Sequence, residues 1–129
     1  MPETNQGKKI VAVLDDLFFS SKIREAAKSL DLNLEITKNT SGLIEKLESQ
    51  KPSLLIFDLN CKACSPLEII ENLKSSPVLK DIPTLGYLSH VQTELKDQAA
   101  KAGCDLVLPR SKFTKDLREI LNKYSTPNS

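Results

Sequence analysis

Two short runs in this sequence carry almost no polar side chain: IVAVL at 10–14 and SLLIF at 53–57. A strand with one wet face alternates apolar and polar residues; a short run without alternation fits a strand covered on both faces. A sheet built on such strands needs helices above and below it, and the intervening segments supply them. Over 17–30, Phe19, Ile23, Ala26, Ala27 and Leu30 recur on one helical face. LNLEIT at 32–37 alternates and predicts a half-exposed strand. SGLIEKLESQ at 41–50 predicts a short helix, ended by Pro52.

The second half repeats the scheme. Ser65, Pro66 and Glu68 combine a cap, a first-turn proline and a capping box, so a helix is expected from there to Ser75. IPTLGYL at 82–88 predicts a fourth strand. SHVQ at 89–92 offers a second capping box, with Val91, Leu95, Ala99 and Ala102 lining the helix and Gly103 stopping it in a left-handed conformation. LVL at 106–108 predicts a fifth strand, and Phe113, Leu117, Ile120, Leu121 and Tyr124 line a last helix. Five strands alternating with five helices imply right-handed crossovers and a doubly wound α/β fold. The expected parallel sheet has the order 2-1-3-4-5. One domain is expected over 8–124, with a disordered tail at 1–7 and a frayed one at 125–129.

Charge and composition narrow the function. A net charge of +1 marks neither a nucleic-acid nor a membrane-surface binder. No apolar run approaches the roughly 20 residues that span a bilayer, and MPETNQGKK lacks the apolar stretch of a secretory signal. A cytoplasmic location is expected. The odd count of three cysteines argues against a disulfide framework, so reduced thiols are expected.

In doubly wound sheets ligands sit beyond the carboxyl ends of the strands. The residues placed there are Asp15 and Asp16, Lys38 and Asn39, Asp58, Ser89 and His90, and Pro109 and Arg110. Strands one and three would be neighbours, which crowds Asp15, Asp16 and Asp58. Like charges that close are costly unless a cation joins them. Mg²⁺ suits such a place, since it takes one or two carboxylates and keeps several waters. The other reading of aspartates at strand ends, as caps for the following helix, stays open.

Taken together, VLDD at 13–16, LLIFDLN at 54–60 and AGCDLVL at 102–108 give residues 8–124 a pattern that resembles the receiver domain of two-component response regulators. The resemblance implies a flavodoxin-like fold with Asp58 as phospho-acceptor. It implies a sensor histidine kinase or phosphotransfer protein as the phosphoryl donor. Mg²⁺ would be held by Asp15, Asp16, Asp58 and the backbone carbonyl of Asn60. It also implies a stand-alone signalling module, not an enzyme. Such a module would reach an unknown downstream protein through the face of the fourth helix, fifth strand and fifth helix.

Several positions depart from the family pattern, and they lie at the active edge. The hydroxyl residue at the end of strand four falls on Leu88, with Ser89 one position later. Ser89 is then either a switch residue or a helix cap. The lysine after strand five falls on Arg110 and the proline after it on Ser111. Lys62 and Pro66 stand where the family has proline and glycine, and VLDD aligns in two registers, one of which begins the acidic pair at Leu14. Two readings stay open: phosphotransfer to Asp58, and a degenerate receiver serving as a phosphorylation-independent interaction module. Cys61 and Cys64 form a Cys-x-x-Cys spacing compatible with thiol–disulfide exchange or, with Cys104 and His90, with a metal. The reading favoured here is small loop residues without a redox role, with His90 a capping or surface residue.

Overall fold

The computed structural model describes residues 9–89 and 92–125. Strands β1 (Lys9–Val13), β2 (Asn33–Thr37), β3 (Leu54–Asp58), β4 (Thr84–Leu88) and β5 (Leu106–Pro109) form one sheet. All its pairings are parallel, in the order β2-β1-β3-β4-β5. The helices are α1 (Leu17–Ser29), α2 (Leu43–Ser49), α3 (Pro66–Ser75), α4 (Thr93–Ala102), α5 (Arg110–Lys115) and α6 (Leu117–Ser125), with a 3₁₀ turn at Lys62–Cys64. The expected fold and strand order are therefore observed.

Strand alternation splits the core in two. On one side Ile10, Ala12, Leu54, Ile56, Leu85 and Tyr87 pack on α1 and on the last two helices. On the other, Val11, Val13, Leu55, Phe57 and Leu88 pack on α2, α3 and α4. Both sides of β3 are thus covered, which is why SLLIF shows no alternation. Gly86 lets Leu59 of the second half of the core pack directly on β4. A Cβ there would lie 2.8 Å from Leu59 Cγ and Cδ1, so the absence of a side chain makes room for Leu59 over β4.

Element boundaries differ from the expectations in four places. Ser65 adopts a left-handed conformation (φ 47°) and its side chain caps nothing, so the predicted capping box at the start of α3 is not formed. Helix α4 starts at Thr93, with Gln92 in the cap position, and not at the predicted SHVQ box. His90 and Val91 of that box lie outside the described residues, as do the tails at 1–7 and 126–129. The single predicted last helix is two, broken at Asp116 (φ −101°, ψ 13°), whose carboxylate pairs with Lys112 one turn back at 2.9 Å. Pro109, expected just after the fifth strand, is its last residue, and Arg110 follows the strand as expected and opens α5. Gly103 does terminate α4 at φ 113°, as predicted.

Candidate functional site at the carboxyl edge of the sheet

Asp58 closes β3, the central strand, and is only 5% exposed. Its Oδ1 accepts the Asn60 N–H at 2.9 Å, and its carbonyl accepts the Cys61 N–H at 3.0 Å. Burial pushes the carboxyl above its ordinary pKa. The neighbouring Asp16 charge adds to this, while the Asn60 N–H and the Arg110 guanidinium oppose it.

The other predicted acids separate into different roles. Asp16 caps α1: its Oδ1 accepts the N–H groups of Phe18 (2.9 Å) and Phe19 (3.1 Å). That is the cap reading of a strand-end aspartate, and it holds Asp16 next to Asp58. Asp15 is exposed and faces Lys38 at 3.7 Å. Among the described residues, no three His, Cys, Asp or Glu side chains gather in a set that could hold a metal ion. The expected cluster of three carboxylates is thus an interacting pair, Asp16 and Asp58, with Asp15 turned to Lys38.

Asn60 ties the loop after β3 to the loop after β4. Its Oδ1 accepts the Ser89 N–H at 2.7 Å, and its Nδ2 donates to Gln92 Oε1 at 3.0 Å. The Ser89 hydroxyl also donates to Gln92 Oε1 at 3.3 Å, so Ser89 belongs to this clasp and does not cap α4. Leu88 is 2% exposed and lies in the α2–α3–α4 core, on the face opposite Asp58.

On the Asp58 face the neighbour is Tyr87, its register partner on β4. The Tyr87 ring packs against both Phe19 (4.8 Å) and Phe113 (4.7 Å), which also touch each other, and the Arg110 guanidinium lies 5.1 Å over the Phe19 ring. Sequence reasoning missed Tyr87 and Gln92. A tyrosine in an apolar strand reads as core, and only the register reveals that it sits beside Asp58.

The cysteines correct another expectation. Cys61 and Cys64 are joined by a disulfide and are buried, Cys64 fully. The 3₁₀ turn brings their Cα atoms to 5.4 Å, within ordinary disulfide range. They are therefore neither reduced nor loose loop residues. Cys104 is a free, buried thiol whose pKa burial raises, and its sulfur donates to the carbonyls of Leu106 and Thr84.

No protein-family model matches the sequence. No curated protein matches it. Solved structures do. A response regulator from Hahella chejuensis superposes with a TM-score of 0.83 at 19% identity, over 95% of this chain and 98% of that one. The Mn²⁺-bound form of the response regulator Rcp1 gives 0.79 at 20% identity, over 95% and 97%. The receiver domain of the sensor histidine kinase PA1611 from Pseudomonas aeruginosa, with magnesium in its active-site cleft, gives 0.78 at 14% identity, over 92% and 97%. The strand order, the acidic edge at β1 and β3 and these superpositions agree: the chain has the fold of response-regulator receiver domains.

Proposed function

We propose that this chain is a receiver-type signalling domain in which Asp58 accepts a phosphoryl group. The observation that carries this reading is a buried carboxylate at the carboxyl end of the central strand, with its pKa raised by burial and a second carboxylate beside it. Perturbed acids in such a place are candidates for chemistry. The Asp58 carboxylate attacks the phosphorus of a phosphohistidine on a histidine kinase or phosphotransfer protein. The P–N bond breaks with its electron pair passing to the imidazole, which takes a proton, and a P–O bond forms. Arg110 faces the added charge.

The donor chemistry suits Mg²⁺, which takes one or two carboxylates and several waters: Asp16, Asp58 and the Asn60 carbonyl would hold it, with Asp15 at the margin. Bound there, the ion would offset charge on the transferring group. Asn60 presents its carbonyl while its side chain holds the two loops together. Output would pass to a partner protein at the face of α4, β5 and the last helical segment, α5 with α6, where β5 is the sheet edge and Leu106 is exposed.

One observation favours the second reading, a phosphorylation-independent interaction module. Leu88 offers no hydroxyl and points into the far core. The test is incubation with acetyl phosphate, with and without Mg²⁺, followed by intact mass measurement. A gain of one phosphoryl group that requires Mg²⁺ and is lost in Asp58→Asn is expected. No adduct, together with no Mg²⁺ binding, leaves the interaction module.

A further inference from the structure

Three rings stack beside Asp58, and one of them differs. Phe19, Tyr87 and Phe113 pack with centroids 4.7 to 5.9 Å apart. Phe19 and Phe113 show that the stack itself asks for no oxygen. Tyr87 adds a hydroxyl that is fully buried, on a side chain 0% exposed, and no group among the described residues bonds to it. A buried hydroxyl left without a partner is destabilising, so phenylalanine would suit the apolar stack better. The Arg110 Nε is also buried without a hydrogen-bond partner. Tyr87 is the register partner of Asp58, and the Arg110 guanidinium lies 5.1 Å over the Phe19 ring of the same stack, where its charge acts on Asp58. Burial raises the pKa of the Tyr87 hydroxyl most, the Asp58 and Asp16 charges add to this and the Arg110 charge opposes it, so the hydroxyl stays a protonated donor.

Two unpartnered donors beside one carboxylate call for an anionic acceptor. We propose that the Tyr87 hydroxyl, together with the Arg110 Nε–H, donates to the oxyanion carried on Asp58, supplying from the strand interior the hydroxyl contact that Leu88 cannot make. The ligand class is a tetrahedral oxyanion bonded to the Asp58 carboxylate. This rests on Asp58 accepting a phosphoryl group. It differs in placing the hydroxyl one residue earlier on β4, on the face where Asp58 lies.

The experiment uses beryllium trifluoride with Mg²⁺ as the phosphoryl mimic. The chain has two tyrosines and no tryptophan, so near-ultraviolet absorption of Tyr124→Phe reports Tyr87 alone. A phenol that begins donating to an anion shifts its band to the red, and that shift is expected on adding the mimic. Tyr87→Phe keeps the ring and removes the donor. Its affinity for the mimic should fall about tenfold to a hundredfold, the scale of a hydrogen bond to a charged group, and its melting temperature should not fall. A bound mimic in the wild type with no band shift, or a Tyr87→Phe affinity equal to wild type, overturns the role of Tyr87 and leaves Asp58 as acceptor. No binding of the mimic and no acetyl-phosphate adduct in the wild type overturns both. Should Tyr87→Phe fail to fold, the band shift in Tyr124→Phe decides alone.

Discussion

At the scale of single residues, the cost of Asp58 is the clearest quantity. Its charged form is desolvated and lies beside Asp16. Replacing it by asparagine removes the charge but keeps an oxygen for the Asn60 N–H. Asp58→Asn should therefore be more stable than wild type at neutral pH, by about 1 kcal/mol, the usual scale of gain when a strained functional group is neutralised. Chemical denaturation measures it, and an equal or lower midpoint would show that the charge is already compensated. The sequence made Asp58 legible because an apolar run stops on it. It made Asp16 legible only as two alternatives, cap or ligand, and the structure shows the cap. Tyr87 was not legible, because its meaning depends on which residue of β3 it pairs with, and a one-residue change of register turns a side chain to the other face.

Elements follow the same division between pattern and contact. The central strands were readable because burial on both faces removes any alternation, and the apolar helix faces because burial on one side imposes a period of 3.6 residues. Starts of helices were readable only in part: α3 does begin at Pro66, although Ser65 before it sits in a left-handed turn and makes no side-chain cap, whereas α4 begins at Thr93 and Ser89 is held in the Asn60–Gln92 clasp. The Cys-x-x-Cys spacing admits the Cys61–Cys64 bond, but the odd cysteine count argues against it, because that count says nothing of one local pair closed by a 3₁₀ turn. Gly86 is the element-scale contact most open to measurement. A methyl there meets the branch of Leu59, not the tip of a flexible chain. Gly86→Ala should cost about 1–3 kcal/mol, as overpacking does. Leu59→Ala removes the atoms it meets, so the double variant should be less destabilised than the sum of the singles, by about 1 kcal/mol. Additive losses would mean that Leu59 moves aside freely and that Gly86 serves only the strand.

Across the whole molecule, three carboxylates set opposing slopes in the dependence of stability on pH. Asp105 is partly desolvated, which alone would raise its pKa. The Thr84 N–H, the Lys74 ammonium and the Thr84 hydroxyl outweigh this and hold it below the ordinary range. Through these bonds it ties α3, β4 and the start of β5 together. Glu35 is lowered chiefly by its hydrogen bond to Lys46 and then by Lys9, which joins β1, β2 and α2. A depressed carboxylate contributes stability that is present above its unfolded pKa, about 4, and is lost as the pH falls through the folded value. Asp58 has the opposite sign. Its raised pKa is a penalty that is full at neutral pH, is relieved as the pH falls through the folded value, and is gone below about 4. Wild-type stability should therefore rise modestly from neutral into mildly acidic pH and then fall steeply below about 4. Asp58→Asn should lose the rise and keep the fall, while Asp105→Asn should keep the rise and show a shallower fall. Denaturation midpoints from pH 7 to pH 3 test this, and a wild-type curve that only declines with acid would show that Asp58 is not charged at a cost in the folded chain.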